Sequence, residues 1–101
     1  MMEEIFSLLM CPYCGEDPPN PDLELHILES EDQKNGKRIK QGIIFCRTCT
    51  RFYTIRDEIL YMSLDRLREI SDEQQFLKHW EQDIPDYILK NGRPHNLSEM
   101  K

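Results

Sequence analysis

Glycine and histidine are scarce in this chain, and their positions exclude several kinds of catalytic site. Among 101 residues there are four glycines, and no two of them lie close enough to form a loop that cradles phosphate groups. The histidines are scattered without HExxH spacing, and no serine stands in a nucleophile motif. We therefore expect His26, His79 and His95 to be surface or strand residues, and the chain to have no catalytic site and no small-molecule substrate of its own.

Long apolar runs are also missing. No stretch approaches the length that spans a membrane, and the apolar segment at the start is too short and too acidic for a secretion signal. Hydrophobic residues make up 39% of the chain and charged residues 32%, which is typical of a soluble protein. We expect a single cytoplasmic domain over residues 1–101.

Positive charge is in deficit, but it is concentrated in one part of the chain. The 13 Lys and Arg residues against 19 Asp and Glu give a net charge of −6, so free binding to nucleic acid is not the default expectation. From Gln33 to Arg56, however, there are bases and no acid. This basic strip comprises Lys34, Lys37, Arg38, Lys40, Arg47, Arg51 and Arg56. Its cations either balance nearby thiolates and flank an exposed loop, or contact phosphate groups of RNA.

The four cysteines form two pairs of identical spacing, Cys11-Pro-Tyr-Cys14 and Cys46-Arg-Thr-Cys49. Two such knuckles brought together supply four thiolates in the tetrahedral arrangement of a structural Zn²⁺ site, with no position left open for a substrate. We therefore predict that Cys11, Cys14, Cys46 and Cys49 bind one structural zinc ion. The interval between the pairs exceeds the roughly 15–20 residues usual in zinc ribbons, which indicates an insertion between the knuckles.

Three other interpretations of the cysteines are open. Two disulfides would suit a secreted protein, which the acidic start of the chain argues against. Cys-Pro-Tyr-Cys also occurs as the active site of glutaredoxins, but a reactive dithiol needs its first thiolate at a helix N-terminus. The three prolines in residues 15–21 prevent a long helix from starting there. Four unliganded core thiols would not favour paired spacing in loops.

Four segments have the alternation or the branched and aromatic residues of β-strands: 23–29, 39–45, 51–55 and 58–62. The polar residues 30–37, with Asn35-Gly36 at their tip, predict a hairpin loop between the first two strands. Residues 4–10 are expected to form a short buried turn or strand. The predicted fold class is α+β, with a small zinc-ribbon-like antiparallel sheet in residues 1–62, closed by the four-cysteine zinc site.

Beyond Ser63 the hydrophobic period becomes helical. Leu64, Leu67 and Ile70 share one predicted helix face, and the capping-box pattern of Ser71 and Gln74 begins a second helix. A last short helix begins near Pro85 and ends before residue 92. We predict a C-terminal helical part over residues 63–92 and a loose tail over residues 93–101.

Several short motifs resemble those of the zinc-binding methyltransferase activator family. They are Leu8-Leu9-Met10-Cys11-Pro12-Tyr13-Cys14, Cys46-Arg47-Thr48-Cys49, and the segment 52–62 directly after them. Archaeal-type members are also similar in Phe76-Leu77-Lys78, in residues 84–89 and in Gly92-Arg93-Pro94. The chain departs from the family pattern at Glu58-Ile59-Leu60, where the family commonly has glycine followed by Ile-Pro. It departs again at Thr50, which stands where the first knuckle has Gly15.

The resemblance implies a non-catalytic subunit that binds, stabilises and activates S-adenosylmethionine-dependent methyltransferases acting on tRNA, rRNA or translation factors. Members bind the methyltransferase catalytic subunit as a heterodimer, through strand pairing and hydrophobic contact. By position, the partner-binding residues would be Phe6, Leu9, Phe52, Tyr53, Ile55, Ile59, Leu60 and Met62. RNA would be bound indirectly, through the complex, and the basic strip would contact it. The alternative is a zinc-ribbon nucleic-acid-binding module of the transcription or translation machinery.

Overall fold

The computed structural model describes residues 1–14, 22–34 and 36–96. Its elements are β1 (Leu23–Gln33), β2 (Gly36–Cys46), β3 (Phe52–Arg56), β4 (Ile59–Tyr61), α1 (Ile70–His79) and α2 (Asp86–Asn91), with 3₁₀ turns at Glu3–Leu8 and Asp65–Leu67. The strands form one open antiparallel sheet in the order β1-β2-β3-β4, so the predicted α+β class is confirmed. Within the described ranges, no helix has the length and apolar character needed to cross a membrane. The predictions for residues 15–21, for Asn35 and for residues 97–101 lie outside the described residues.

The hairpin of β1 and β2 is longer than predicted. Residues 30–33 and 36–37, expected to be loop, pair as strand from Glu31↔Arg38 to Gln33↔Gly36. Strand pairing needs only backbone groups, so polar side chains on the exposed arm do not prevent it. The register skips Leu28 on β1 and Lys40 on β2, which places a bulge on each strand and bends the hairpin at its middle.

Side chains alternate along β2 between two packed faces of the sheet. Ile43 and Phe45 face α1 and α2, in a cluster with Phe52, Phe76, Leu77, Ile84, Ile88 and Leu89. Ile44 and Cys46 face the opposite side, in a cluster with Cys11, Leu23, Ile39, Tyr53 and Ile55. Met1, Phe6 and Leu9 of the N-terminal segment pack against that second cluster. The sheet is therefore covered on one face by helices and on the other by the segment that carries the first cysteine pair.

The predicted helix over residues 64–70 is wrong. The chain forms only the 3₁₀ turn Asp65–Leu67, then runs extended through Arg68 before α1 begins at Ile70. No side chain caps α1, whose N-cap is Glu69, so the Ser71 capping box is not formed. Arg68 explains both differences, because its buried guanidinium donates to the Phe52 carbonyl and to Glu73 and holds the backbone extended.

The predicted loose tail is wrong for residues 93–96. The Arg93 N–H donates to the Thr50 carbonyl at 2.8 Å, and the Phe52 N–H donates to the Arg93 carbonyl at 3.1 Å. β4 pairs only with residues 54–56 of β3, so the backbone of Phe52 on that edge of β3 can pair with this segment instead. His95 and Asn96 are buried, which also corrects the expectation that His95 is a surface or strand residue.

A buried ion network holds the tail to α1. The Arg68 Nε lies 3.0 and 2.9 Å from the two Glu73 carboxylate oxygens, and the His95 Nε2 lies 2.7 Å from Glu73 Oε1. The three side chains, Arg68, Glu73 and His95, are 1%, 2% and 4% exposed. The network therefore joins the segment before α1, the helix itself and the tail in one interior site.

Candidate metal centre

The fold brings the four cysteines together. Cys11 and Cys14 lie in the turn after the N-terminal 3₁₀ helix, Cys46 ends β2, and Cys49 lies in the turn before β3. The Sγ atoms of Cys11 and Cys49 are 3.5 Å apart, those of Cys14 and Cys46 are 3.6 Å apart, and all four lie within 4.8 Å of one another. Zn–S bonds of about 2.3 Å in a tetrahedron separate the sulfurs by about 3.8 Å. The cysteines, none of which forms a disulfide, can hold a metal ion at a spacing consistent with zinc.

The second knuckle is closed by backbone hydrogen bonds. The Thr50 N–H donates to the Cys46 carbonyl at 2.8 Å, and the Cys46 N–H donates to the Arg51 carbonyl at 2.8 Å. Thr50 has a φ of 60°, in the left-handed region that a branched residue adopts at a cost of about 1–2 kcal/mol. The threonine thus takes the conformation that a glycine adopts without strain, and the knuckle closes despite the departure from the family pattern.

The electrostatics of the cluster favour a bound cation. Burial works to raise the pKa of the Cys11 thiol, but hydrogen bonds from the Tyr53 hydroxyl and from the Tyr13 and Cys14 backbone outweigh it and lower that pKa to about 7. Burial and the neighbouring thiols raise the pKa of Cys14, and burial raises the pKa of Cys46. The metal-free cluster therefore forms a thiolate readily at Cys11 and resists deprotonation at Cys14 and Cys46. A divalent cation between the sulfurs removes that resistance.

Three side chains around the cluster join both knuckles to the 3₁₀ turn at Asp65–Leu67. The Arg51 guanidinium lies over the Tyr13 ring at 3.6 Å and donates to both Asp65 carboxylate oxygens. The Asp65 N–H donates to the Tyr13 hydroxyl at 2.6 Å. Hydrogen bonding to Arg51 lowers the pKa of Asp65. We call Tyr13, Arg51 and Asp65 the bracket; no sequence pattern indicated it, because its members are far apart in the chain.

Three of the eight predicted partner-binding residues are core residues. Phe52, Tyr53 and Ile55 are fully buried, because β3 lies between two strands and both faces of the sheet are covered. They offer no surface to a partner, which corrects the prediction for these three. The half-buried ones are Phe6, Leu9, Leu60 and Met62, all packed on the cluster around the cysteines. Ile59 alone among the eight is exposed, with 56% of its surface accessible.

Other exposed apolar side chains were missed by the sequence analysis. They follow Ile59 closely in the chain, and with it we call them the apolar ridge: Ile59, Tyr61, Leu64, Leu67 and Ile70. The helical spacing of Leu64, Leu67 and Ile70 predicted a buried face, but their segment is not a continuous helix. The ridge begins on β4, which is the last strand of the sheet and has no further strand on its outer edge among the described residues.

Most of the basic strip is engaged with carboxylates. Five of its seven members form ion pairs at N–O distances of 2.9 to 3.9 Å: Arg38 with Glu58, Lys40 with Glu31, Arg47 with Glu24, Arg51 with Asp65, and Arg56 with Asp72. Lys34 and Lys37 lie at the far end of the β1-β2 hairpin. The strip is thus spread over several elements rather than forming one array of cations.

A groove of about 450 Å³ lies between α1 and the turn from β3 to β4. Among its lining residues, Arg56 lies 3.9 Å from Asp72 and over the Tyr61 ring, and Gln41 donates to Asp57 at 2.9 Å. The groove carries charges of both signs, which points to no single class of ligand.

Comparison of the chain with models of protein families, with curated proteins and with solved structures finds no match.

Proposed function

We propose that this chain is a non-catalytic zinc-binding subunit that binds, stabilises and activates S-adenosylmethionine-dependent methyltransferases acting on tRNA, rRNA or translation factors. The observation that carries the proposal is the apolar ridge, which begins on the outer strand of the sheet and continues into the turn that the bracket ties to the two cysteine knuckles. The motifs shared with the methyltransferase activator family support the choice of partner class.

The donor set supports a structural role for the metal. Four thiolates complete a tetrahedral zinc site and leave no position for a substrate or a reactive water. The ion would join residues 11–14, which cover one face of the sheet, to residues 46–49 at the ends of β2 and β3. In this zinc-ribbon-like arrangement the metal holds the partner surface in shape, and the cysteines take no part in methyl transfer.

The ridge and the outer edge of β4 support a protein partner. An open strand edge offers unpaired backbone groups, and the ridge adds exposed apolar side chains within residues 59–70 of the same segment. A strand added at that edge would gain main-chain hydrogen bonds while Ile59 and Leu67, 56% and 65% exposed, leave water. Interfaces of standard size bury about 800 Å² on each partner, which is more than two side chains provide. The half-buried Leu60 and Met62 would contribute to the remainder.

Direct binding of nucleic acid by the chain alone is the less supported alternative. Most cations of the basic strip are paired with acids, and the net charge is −6. A protein that neutralises phosphates needs cations free to displace counterions. Lys34 and Lys37 are better placed to contact RNA that a methyltransferase partner already holds.

Affinity purification from the native cells, with metal analysis of the same sample, tests the proposal. We expect stoichiometric zinc and a co-purifying methyltransferase. The reconstituted heterodimer should be more soluble and more active in methyl transfer than the catalytic subunit alone. Leu67→Glu should abolish co-purification, because it places a charge on the ridge.

Gln82→Glu is the matched control, because it adds the same charge at an exposed position outside the ridge and should leave the heterodimer intact. Methyltransferase solubility and activity that do not change when this chain is omitted would contradict the proposal. Salt-dependent RNA binding by the chain alone, with no methyltransferase recovered, would favour the alternative.

A further inference from the structure

We propose that the bracket of Tyr13, Arg51 and Asp65 couples metal binding at the four cysteines to the order of the 3₁₀ turn that carries Leu64 and Leu67. The inference rests on the proposed function in one respect, that this turn is part of the partner surface. The metal would then regulate how much of the ridge is presented in a fixed shape.

At one end, the bracket is tied to both knuckles. Tyr13 lies between Cys11 and Cys14, and Arg51 follows Cys49 by two residues. The Arg51 guanidinium lies 3.6 Å from the centre of the Tyr13 ring, so this stack joins the two knuckles only while they are held side by side. A metal ion shared by the four sulfurs supplies that constraint. Without the metal, no shared ligand joins the two knuckles.

At the other end, Asp65 contacts both knuckles at once. Its N–H donates to the Tyr13 hydroxyl, and its carboxylate accepts a forked pair of hydrogen bonds from Arg51 at 2.9 to 3.2 Å. A forked guanidinium–carboxylate pair fixes orientation as well as distance. Movement of either knuckle would therefore disturb the position of Asp65.

The turn has little support other than the bracket. It is three residues long, buries none of them and has no side-chain cap. Its own hydrogen bonds are those of Leu67 N–H to the Leu64 carbonyl and of Arg68 N–H to the Asp65 carbonyl. Turns of this length are marginal without tertiary contacts. The guanidinium of Arg68, which follows the turn, lies 2.9 Å from the Glu73 carboxylate and 4.0 Å from that of Asp65, so loss of the bracket should loosen residues 64–67 and leave α1 in place.

Amide hydrogen exchange of the full zinc-loaded chain tests the proposal directly. Tyr13→Phe removes the hydroxyl that accepts from Asp65 and keeps the ring that Arg51 covers. We expect exchange at the Asp65 amide to be about fivefold to tenfold faster in this variant, the effect of losing one hydrogen bond. Exchange in β2 and β3 should be unchanged, and Tyr61→Phe, on the other side of the sheet, should behave as wild type.

Linkage requires the reverse effect as well, because coupling between two sites is reciprocal. Asp65→Asn weakens the pair with Arg51 without touching a ligand, and should lower the zinc affinity severalfold, as measured by equilibrium competition with a chromogenic chelator. Asp72→Asn is the matched control, since it removes a more exposed carboxylate whose partner, Arg56, lies 3.9 Å away, and should leave the zinc affinity unchanged.

The proposal is overturned if the Asp65 amide is equally protected in wild type and in Tyr13→Phe, or if Asp65→Asn binds zinc as tightly as Asp72→Asn. Both comparisons use the zinc-loaded chain, so they remain decisive even where complete removal of the metal unfolds the protein. Neither uses a partner. Failure to recover a methyltransferase would contradict the proposed function and leave this coupling intact. Unchanged amide exchange and zinc affinity would contradict the coupling and leave the proposed function intact.

Discussion

Glu73→Ala removes the shared partner of the buried ion network, and we expect it to destabilise the chain severely. The Glu73 carboxylate accepts from Arg68 and pairs with His95 at 2.7 Å, in a site where none of the three side chains is more than 4% exposed. Without it, the Arg68 guanidinium is left charged in the interior, where the Phe52 carbonyl, the Asp65 carboxylate at 4.0 Å and the rings of Phe52 and Tyr53 compensate it less well.

The magnitude follows from the cost of an uncompensated buried charge. Breaking a buried ion pair by removing one partner costs about 3–5 kcal/mol. A domain of this length has a total free energy of unfolding of about 5–15 kcal/mol. At about 4 °C or more per kcal/mol, Tm should fall by at least about 12 °C. Glu73→Gln, which retains hydrogen-bonding atoms but loses the charge, should lie between wild type and Glu73→Ala.

Urea unfolding and thermal unfolding, each followed by far-ultraviolet circular dichroism, measure the effect. Free zinc must be buffered at one concentration for all variants, because a ligand that binds only the native state shifts Tm by mass action. The change should appear in the urea midpoint with little change in slope, as for a loss of stability without a change in the area exposed on unfolding.

Asp72→Asn is the matched control for Glu73→Ala. The two acids are neighbours in α1, but the Asp72 side chain is 58% exposed and lies 3.9 Å from Arg56, so its removal should cost less than about 1 kcal/mol. If Glu73→Ala cost no more than Asp72→Asn, the buried ion network would not stabilise the fold. The pairing of Arg68 with Glu73 would then not explain why residues 68–69 are extended.

Two further predictions concern the turn after β3 and the acid side of the pH profile. Glu58 has a φ of 73°, so Glu58→Gly should raise the free energy of unfolding by about 1 kcal/mol by relieving left-handed strain. Glu58→Gln keeps the strain and should give no such increase. Equal stabilities of the Gly and Gln variants would contradict this prediction. Burial works to raise the pKa of Glu24, but hydrogen bonds from Tyr87 and His26 lower it. The contribution of Glu24 to the free energy of unfolding is therefore present above the unfolded pKa of about 4.3 and is lost as pH falls through the folded pKa. Unfolding curves between pH 3 and 6 should therefore show a shallower acid loss of stability for Glu24→Gln than for wild type; parallel profiles would count against that lowered pKa.

The cysteine cluster and the antiparallel sheet could be predicted because their signals are local. The spacing within each knuckle is a property of four consecutive residues, and the alternation of apolar and polar residues over 23–29 indicates a half-buried strand. The prediction of a helix over residues 64–70 was wrong because it, too, used only local spacing. Leu64, Leu67 and Ile70 have helical spacing, but a long-range contact of Arg68 with Glu73 and β3 overrides it.

The partner-binding prediction failed in part because burial is not a local property. The residue types of Phe52, Tyr53 and Ile55 would suit an exposed apolar strand equally well. Only the position of β3 inside a sheet covered on both faces makes them core residues. His95 likewise has no sequence neighbour that indicates burial. It is buried because the tail pairs with the open edge of β3 at Phe52 and brings the imidazole to Glu73.

By itself, the sequence determined that four thiols would be presented in two paired loops, that strands would precede helices, and that no phosphate-cradling loop was present. Each of these features depends on residues within a few positions of one another. Only the tertiary structure decided which apolar side chains remain on the surface, how the cations of the basic strip are paired, and how Tyr13, Arg51 and Asp65 meet beside the cysteines. Those outcomes depend on contacts between residues up to 52 positions apart, as for Tyr13 and Asp65. Whether such contacts form is set by the packing of the whole chain.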